Sequence, residues 1–207
     1  MEALSPDIVI GMKYLYSNMP YSDVGNYTFD TYLDYVQQGI YLWENSPYVK
    51  NYPELYFLNY VLFHRTNDEE IKPCRTYFWK KIKDKVQGKA MVEAALEINH
   101  WCAGEVMYQG TDMRTGSALE IYRSGVGRCG EEAVFVVNVM RSAGIPARPV
   151  YVPRWSHCDD NHAWVEVWCD GDWHYLGACE PEAVLDKGWF TNAASRALSL
   201  IHISEPT

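Results

Sequence analysis

From Gly130 to Ala143 the chain carries Ala133, Val134, Phe135, Val136, Val137, Val139 and Met140 around nearly the whole circumference of a helix. A helix that is apolar on every side must be covered on every side, so a fold containing this segment is built around it. Glu131 and Glu132 lie where the first turn favours negative charge, and Gly144 followed by Ile145-Pro146 is a helix stop. The valines would also suit a strand, but these end signals favour a central helix.

The period of the apolar residues changes near residue 125. Before it, Ile8 to Met19, Phe29 to Glu44, Glu54 to Phe63, Ile71 to Val86 and Lys89 to Val106 repeat at three- and four-residue spacing, with Pro20, Pro53, Pro73 and Gly88 as breakers. After the central helix, Ala147 to Val152, His162 to Trp168 and Trp173 to Leu176 read as strands, and Asp170-Gly171 is a hairpin signal between the last two. The expected fold class is therefore α+β, with a buried central helix against an antiparallel sheet and a helical N-terminal region before it.

Length and charge narrow the function. At 207 residues and 48% hydrophobic, the chain can bury a core without disulfide support, and its net charge of -9 is the wrong sign for neutralising phosphates. No nucleic-acid partner is expected. No apolar run reaches membrane-span length, the start lacks a signal-peptide pattern, and the compartment is left open. The six cysteines form no C-x-x-C pair. His157, Cys158 and His162 with Cys169 or Cys179 offer soft ligands but match no standard zinc spacing, so neither metal nor cofactor is expected.

Cys129 stands between the turn Gly125-Val126-Gly127-Arg128 and the central helix. Unpaired amides and partial positive charge at a helix start favour a thiolate, which predicts a lowered pKa and a nucleophile. His162 heads an alternating strand and is the natural proton acceptor. On this reading iodoacetamide alkylates Cys129 fastest of the six cysteines at pH 6 to 7. The plainer reading is a small buried cysteine and an ordinary strand-end histidine.

Three segments in this order, Gly127-Arg128-Cys129-Gly130-Glu131-Glu132, Gly144-Ile145-Pro146-Ala147-Arg148 and Asp160-Asn161-His162-Ala163-Trp164-Val165-Glu166-Val167, resemble the core of the transglutaminase-like superfamily. The resemblance runs from about Trp101 to Phe190, with features similar to peptide N-glycanases in Trp173 and Cys179-Glu180. It implies a papain-related Cys-His-Asp fold in which Cys129 attacks a carboxamide carbon and His162 moves the proton. It also implies an oxyanion site from the Cys129 amide and the Trp101 indole; the alternative for Trp101 is packing. Residues 1–95 then form a helical region packed on the core, 96–197 the transglutaminase-like core, and 198–207 a tail resembling translated sequencing-adapter read-through, left out of the fold reading.

The family's acid stands four residues after the strand tryptophan, which here is Gly177. A two-residue turn at Asp170-Gly171 sets His162 opposite Cys179, with Gly177 diagonal to it and Glu180 on the opposite face. A one-residue bulge at Gly177-Ala178 would reverse that parity and bring Glu180 to the imidazole. Glu180 is the expected orienting acid, with Asp160 or Asn161 as alternatives. Losing such an acid outright costs on the order of 10⁴ in turnover.

Two functions follow. The first is a cysteine-dependent hydrolase or acyltransferase acting on peptide bonds or on Gln or glycosylated-Asn side chains of a peptide, protein or glycopeptide. The second is a weak or inactive domain that binds peptide or glycan in a cleft lined by Trp155, Trp164, Trp168 and Tyr151, with Asp160 and Asn161 at its edge. A carboxylate or amide on the distal nitrogen of His162 favours the enzyme; an unpartnered imidazole favours the binder.

Overall fold

The structure, a computed structural model, describes residues 4–110, 114–197 and 199–202. Its helical part opens with α1 (Pro6–Asn18), capped by Ser5 and carrying Pro at the start, then α2 (Tyr21–Asn26) and α3 (Phe29–Asn45). A 3₁₀ turn (Val49–Asn51) leads to α4 (Glu54–Phe57), which runs into a π-helical turn (Leu58–Leu62). Then come α5 (Arg75–Val86) and α6 (Met91–Glu105). The expected junction at residue 95 falls inside α6, and one apolar core runs from Met12 through Ile98 to Ala178 across it.

Next, β1 (Met107–Tyr108) pairs in parallel with β2 (Val126–Gly127), and between them lies α7 (Ala118–Ser124). The helix α7 has a capping box, Ser117 with Glu120, and ends on Gly125 at φ 69°. The central helix α8 (Cys129–Ser142) packs against α5, α6 and α7 on one side and the sheet on the other. Its residues from Glu131 to Ser142 are all buried, as its apolar circumference requires.

The sheet consists of β3 (Ala147–Val152), β4 (His162–Cys169), β5 (Asp172–Leu176) and, after the short α9 (Thr191–Ala194), β6 (Ile201–His202), in the order β5-β4-β3-β6, all antiparallel. The Asp170-Gly171 turn, with both residues at positive φ, pairs Cys169 with Asp172 and Val165 with Leu176, the register its sequence predicts. Ala163, Val165, Val167 and Cys169 face the main core. Trp164 joins Val150, Val152, Trp155 and Phe190 in a second cluster. Of the tail set aside on sequence grounds, Ile201 and His202 pair with Tyr151 and Val150, because the outer edge of β3 leaves backbone groups free; Leu198 and residues 203–207 lie outside the described residues.

Two buried arginines tie the helical region to α8. Arg75 donates to Val61 O, Phe63 O and Asn138 Oδ1, and Arg141 to Phe63 O, Arg65 O and Ala147 O. The carbonyls left open where the π-helical turn ends find their donors here, which is why charged side chains can sit at 2% and 0% exposure.

Candidate active site

Cys129 is the first residue of α8, half-buried, and is separated from the β2 strand by the N-cap Arg128 alone. Its flanking glycines have a steric reason. A Cβ on Gly127 would press on the Glu131 side chain at 3.1 Å, and Glu131 closes the helix start by accepting from the amides of Arg128 and Gly116. Burial pushes the thiol pKa up; the N–H groups of Ala163 and Gly130 pull it back, Glu132 raises it further and Arg128 lowers it, and the net shift is upward. The expected lowering by the helix start is thus outweighed by desolvation. The contribution of Ala163 locates the sulfur: it faces the strand residue next to His162.

His162 is 7% exposed and packed among rings, with Trp189 at 4.8 Å, Phe190 at 5.0 Å, Trp164 at 6.1 Å and Trp155 at 6.2 Å between centroids. Burial lowers its pKa to about 4, against a small opposing effect of Asp160. Its Nε2 is buried and makes no hydrogen bond. With the thiol protonated and the imidazole neutral, the resting pair is uncharged at neutral pH.

Glu180 reaches neither nitrogen of that ring. Strand β5 stops at Leu176, and instead of a bulge the chain makes a turn in which Glu180 N–H donates to Gly177 O at 3.1 Å and Cys179 takes φ 58°. Both carboxyl oxygens of Glu180 accept from Trp189 Nε1 at 3.0 Å. Burial raises the Glu180 pKa, and the bond from Trp189 opposes it. Glu132, one turn into α8 on the Cys129 side, is 4% exposed; burial, then Glu180 and Glu131, push its pKa up to about 8. The Gly177–Glu180 turn therefore lies alongside the first turn of α8.

The other expected site residues are placed as follows. Trp101 packs on Tyr122 and Phe135, both 6.0 Å away, which is the packing alternative for it. Trp155 and Trp164, expected to line a cleft, are 5% and 3% exposed inside the second cluster, where Trp164 stacks on Phe190 at 4.9 Å. Their faces are spent on covering the outer side of the sheet. Tyr151 is half-buried against the main core. Asp160 and Asn161 are exposed, the Asp160 carboxyl accepting from the Asn161 amide. Trp168 packs against Tyr56, with ring centroids 4.4 Å apart and planes tilted by 41°, toward the hairpin end of β4. Among the described residues no three His, Cys, Asp or Glu side chains converge as a metal site requires.

Two residues of this site were not singled out from sequence. Trp189, 65% exposed, bonds Glu180 and covers His162, a role created by contacts across the chain. Asn99, 1% exposed on α6, donates to Gly177 O and accepts from Cys179 N–H. A buried amide amid the apolar face of a helix was the available signal for it.

A cavity of about 1160 Å³ is lined by Asp23, Arg65, Glu69, Glu120, Val126 and Glu131 among others. Three of its carboxylates are held by neighbours: Asp23 by His64 and Arg65, Glu69 by the Thr66 and Asn67 amides, and Glu120 by Lys72.

Among the described residues no helix is long and apolar enough to cross a membrane. No curated protein matches the chain. Among solved structures it is similar to a cysteine-protease candidate from Cytophaga hutchinsonii (22% identity, 64% of this chain and 47% of that one, TM-score 0.42). It is similar also to LapG of Legionella pneumophila (17%, 63% and 74%, 0.45) and to red sea bream transglutaminase (15%, 86% and 32%, 0.40). The chain thus spans about half the length of the Cytophaga protein. Residues 80–178, which hold α8, the β3–β5 sheet, Cys129, His162 and Gly177, match the family model described as transglutaminase-like superfamily, and over that stretch the chain carries a transglutaminase-like domain.

Proposed function

We propose that this chain is a cysteine hydrolase or acyltransferase acting on peptide bonds or on Gln or glycosylated-Asn side chains. Cys129 Sγ attacks the carboxamide carbon, His162 takes the thiol proton and gives it to the departing nitrogen, and the amide C–N bond breaks to leave an acyl-enzyme. Water, deprotonated by His162, then releases the acid, with hydrolysis preferred to transfer onto an amine. The first-turn amide of Cys129 has no partner within the helix and faces the developing oxyanion. The observation that carries this reading is the placement of the Cys129 thiol at the head of α8 against the Ala163 amide, one residue from His162. Glu180 is the orienting acid, and Trp189 must release it before it reaches the imidazole.

A specific observation favours a second reading, a binding domain without turnover: Nε2 of His162 is buried without a partner. Incubating a peptide and glycopeptide library with the parent and with Cys129→Ala, and comparing masses before and after, separates the two. Products made by the parent alone support the enzyme. Peptides retained by both proteins, with no product from either, support the binder.

A further inference from the structure

The turn that carries Glu180 is held from beneath by one side chain. Asn99 Nδ2 donates to Gly177 O at 2.9 Å, and Asn99 Oδ1 accepts from Cys179 N–H at 3.1 Å. A carboxamide supplies one donor and one acceptor on a single plane; a carboxylate cannot donate, and an apolar side chain can do neither. Between these bonds Cys179 sits at φ 58°, a conformation that side-chain-bearing residues rarely adopt. The chain is thereby folded back so that the Glu180 side chain lies over position 177. A Cβ there would come within 2.8 Å of Glu180 Cβ and closer still to its carboxyl oxygen. The glycine and the glutamate fit as a pair, one vacating the volume that the other fills.

We infer that Asn99 is a positioning residue: by clamping the Gly177–Glu180 turn it delivers the Glu180 carboxyl into the space left by Gly177, so that Glu180 serves in place of an acid on the strand itself. The inference rests on the reading of Glu180 as the partner of His162. Asn99 touches no reacting atom and acts through the backbone of the turn. Both of its contacts are to main-chain groups, so the identity of residues 178 and 179 matters less to it than the path of the chain.

The test follows alkylation of Cys129 by iodoacetamide against pH, read by peptide mass spectrometry, in a Trp189→Ala background where the Glu180 carboxyl is no longer held by the indole. Adding Glu180→Gln is expected to move the midpoint upward and slow alkylation at pH 7 by about threefold to tenfold, because the imidazolium loses its counter-charge. Adding Asn99→Asp is expected to give the same shift, and the two together no more than either alone, since both remove one carboxyl from one place. Gly177→Asp with Glu180→Gly, which also removes the Cβ that a side chain at 177 would meet, returns the midpoint, with the carboxyl now borne by residue 177 itself. Asn99→Ser, whose hydroxyl is too short to span both contacts, reproduces the shift without adding charge and covers the case in which Asn99→Asp does not fold.

A midpoint unmoved by both Asn99 variants but moved by Glu180→Gln overturns the positioning role and leaves the reading of Glu180 intact. Shifts that add also overturn it. A midpoint unmoved by Glu180→Gln overturns that reading and this inference together, while the library comparison with Cys129→Ala still decides separately whether the chain is an enzyme.

Discussion

Trp189 donates its indole N–H to both carboxyl oxygens of Glu180 at 3.0 Å while its ring lies 4.8 Å from that of His162. One side chain thus occupies the acid and covers the base. The depressed imidazole pKa of about 4 comes first from burial, and Trp189, itself 65% exposed, is the most exposed of the rings around it.

Removing that ring should hydrate the imidazole. In Trp189→Ala the His162 pKa is expected to rise from about 4 toward the ordinary 6.5, followed by the Cε1 proton resonance in an NMR titration. An unchanged titration would show that the desolvation comes from Trp155, Trp164 and Phe190 alone.

Gly177→Ala tests the tight approach of the turn. The new Cβ meets Glu180 inside van der Waals contact, and overpacking of this kind costs about 1 to 3 kcal/mol. Urea unfolding should show that loss in Gly177→Ala and its recovery in Gly177→Ala with Glu180→Gly, where both the carboxyl and the obstructing Cβ are gone. Equal losses in both would place the strain in the backbone instead.

The parts of this fold written in short-range pattern were legible. The all-round apolar run gave α8, the Pro and Gly breakers bounded the helices, and Asp170-Gly171 fixed the β4–β5 register to the residue. The Ser117-x-x-Glu120 signature of α7 marks a helix start that the apolar period alone does not show. What the sequence could not carry was the end of β5. Whether Gly177 starts a bulge or a turn depends on Asn99, 78 residues earlier, and on Trp189, and both choices place the same residues near the same helix. The thiol pKa failed for a different reason: the helix start was visible, but the desolvation that outweighs it is a property of the packed structure.

That reversal changes the alkylation order. Cys158 is exposed, whereas burial holds the Cys129 thiol above the ordinary range. Iodoacetamide at pH 6 to 7 is expected to modify Cys158 before Cys129, read by peptide mass spectrometry, and the Cys129 rate should gain in Trp189→Ala. Cys129 labelled first in the parent would mean that the imidazolium–thiolate pair forms at rest.

Stability should fall on both sides of a window set by two buried groups. His162 titrates at 6.5 unfolded and about 4 folded, so between those values the unfolded chain holds a proton that the folded one lacks. Stability drops as pH falls through that range, by roughly 3 kcal/mol once both states are protonated. Glu132 runs the other way: at 4.5 unfolded and about 8 folded, it keeps its proton in the fold while the unfolded chain has released it. Its contribution is fully present below pH 4.5 and is lost as pH rises to 8, by several kcal/mol. Urea midpoints of Glu132→Gln should therefore exceed the parent's at pH 8 and converge with them near pH 4, since Gln is the neutral isostere. His162→Gln should flatten the acid limb alone. Parallel curves for parent and Glu132→Gln would mean that the carboxyl reaches solvent and that the Gly177–Glu180 turn does not seal the first turn of α8.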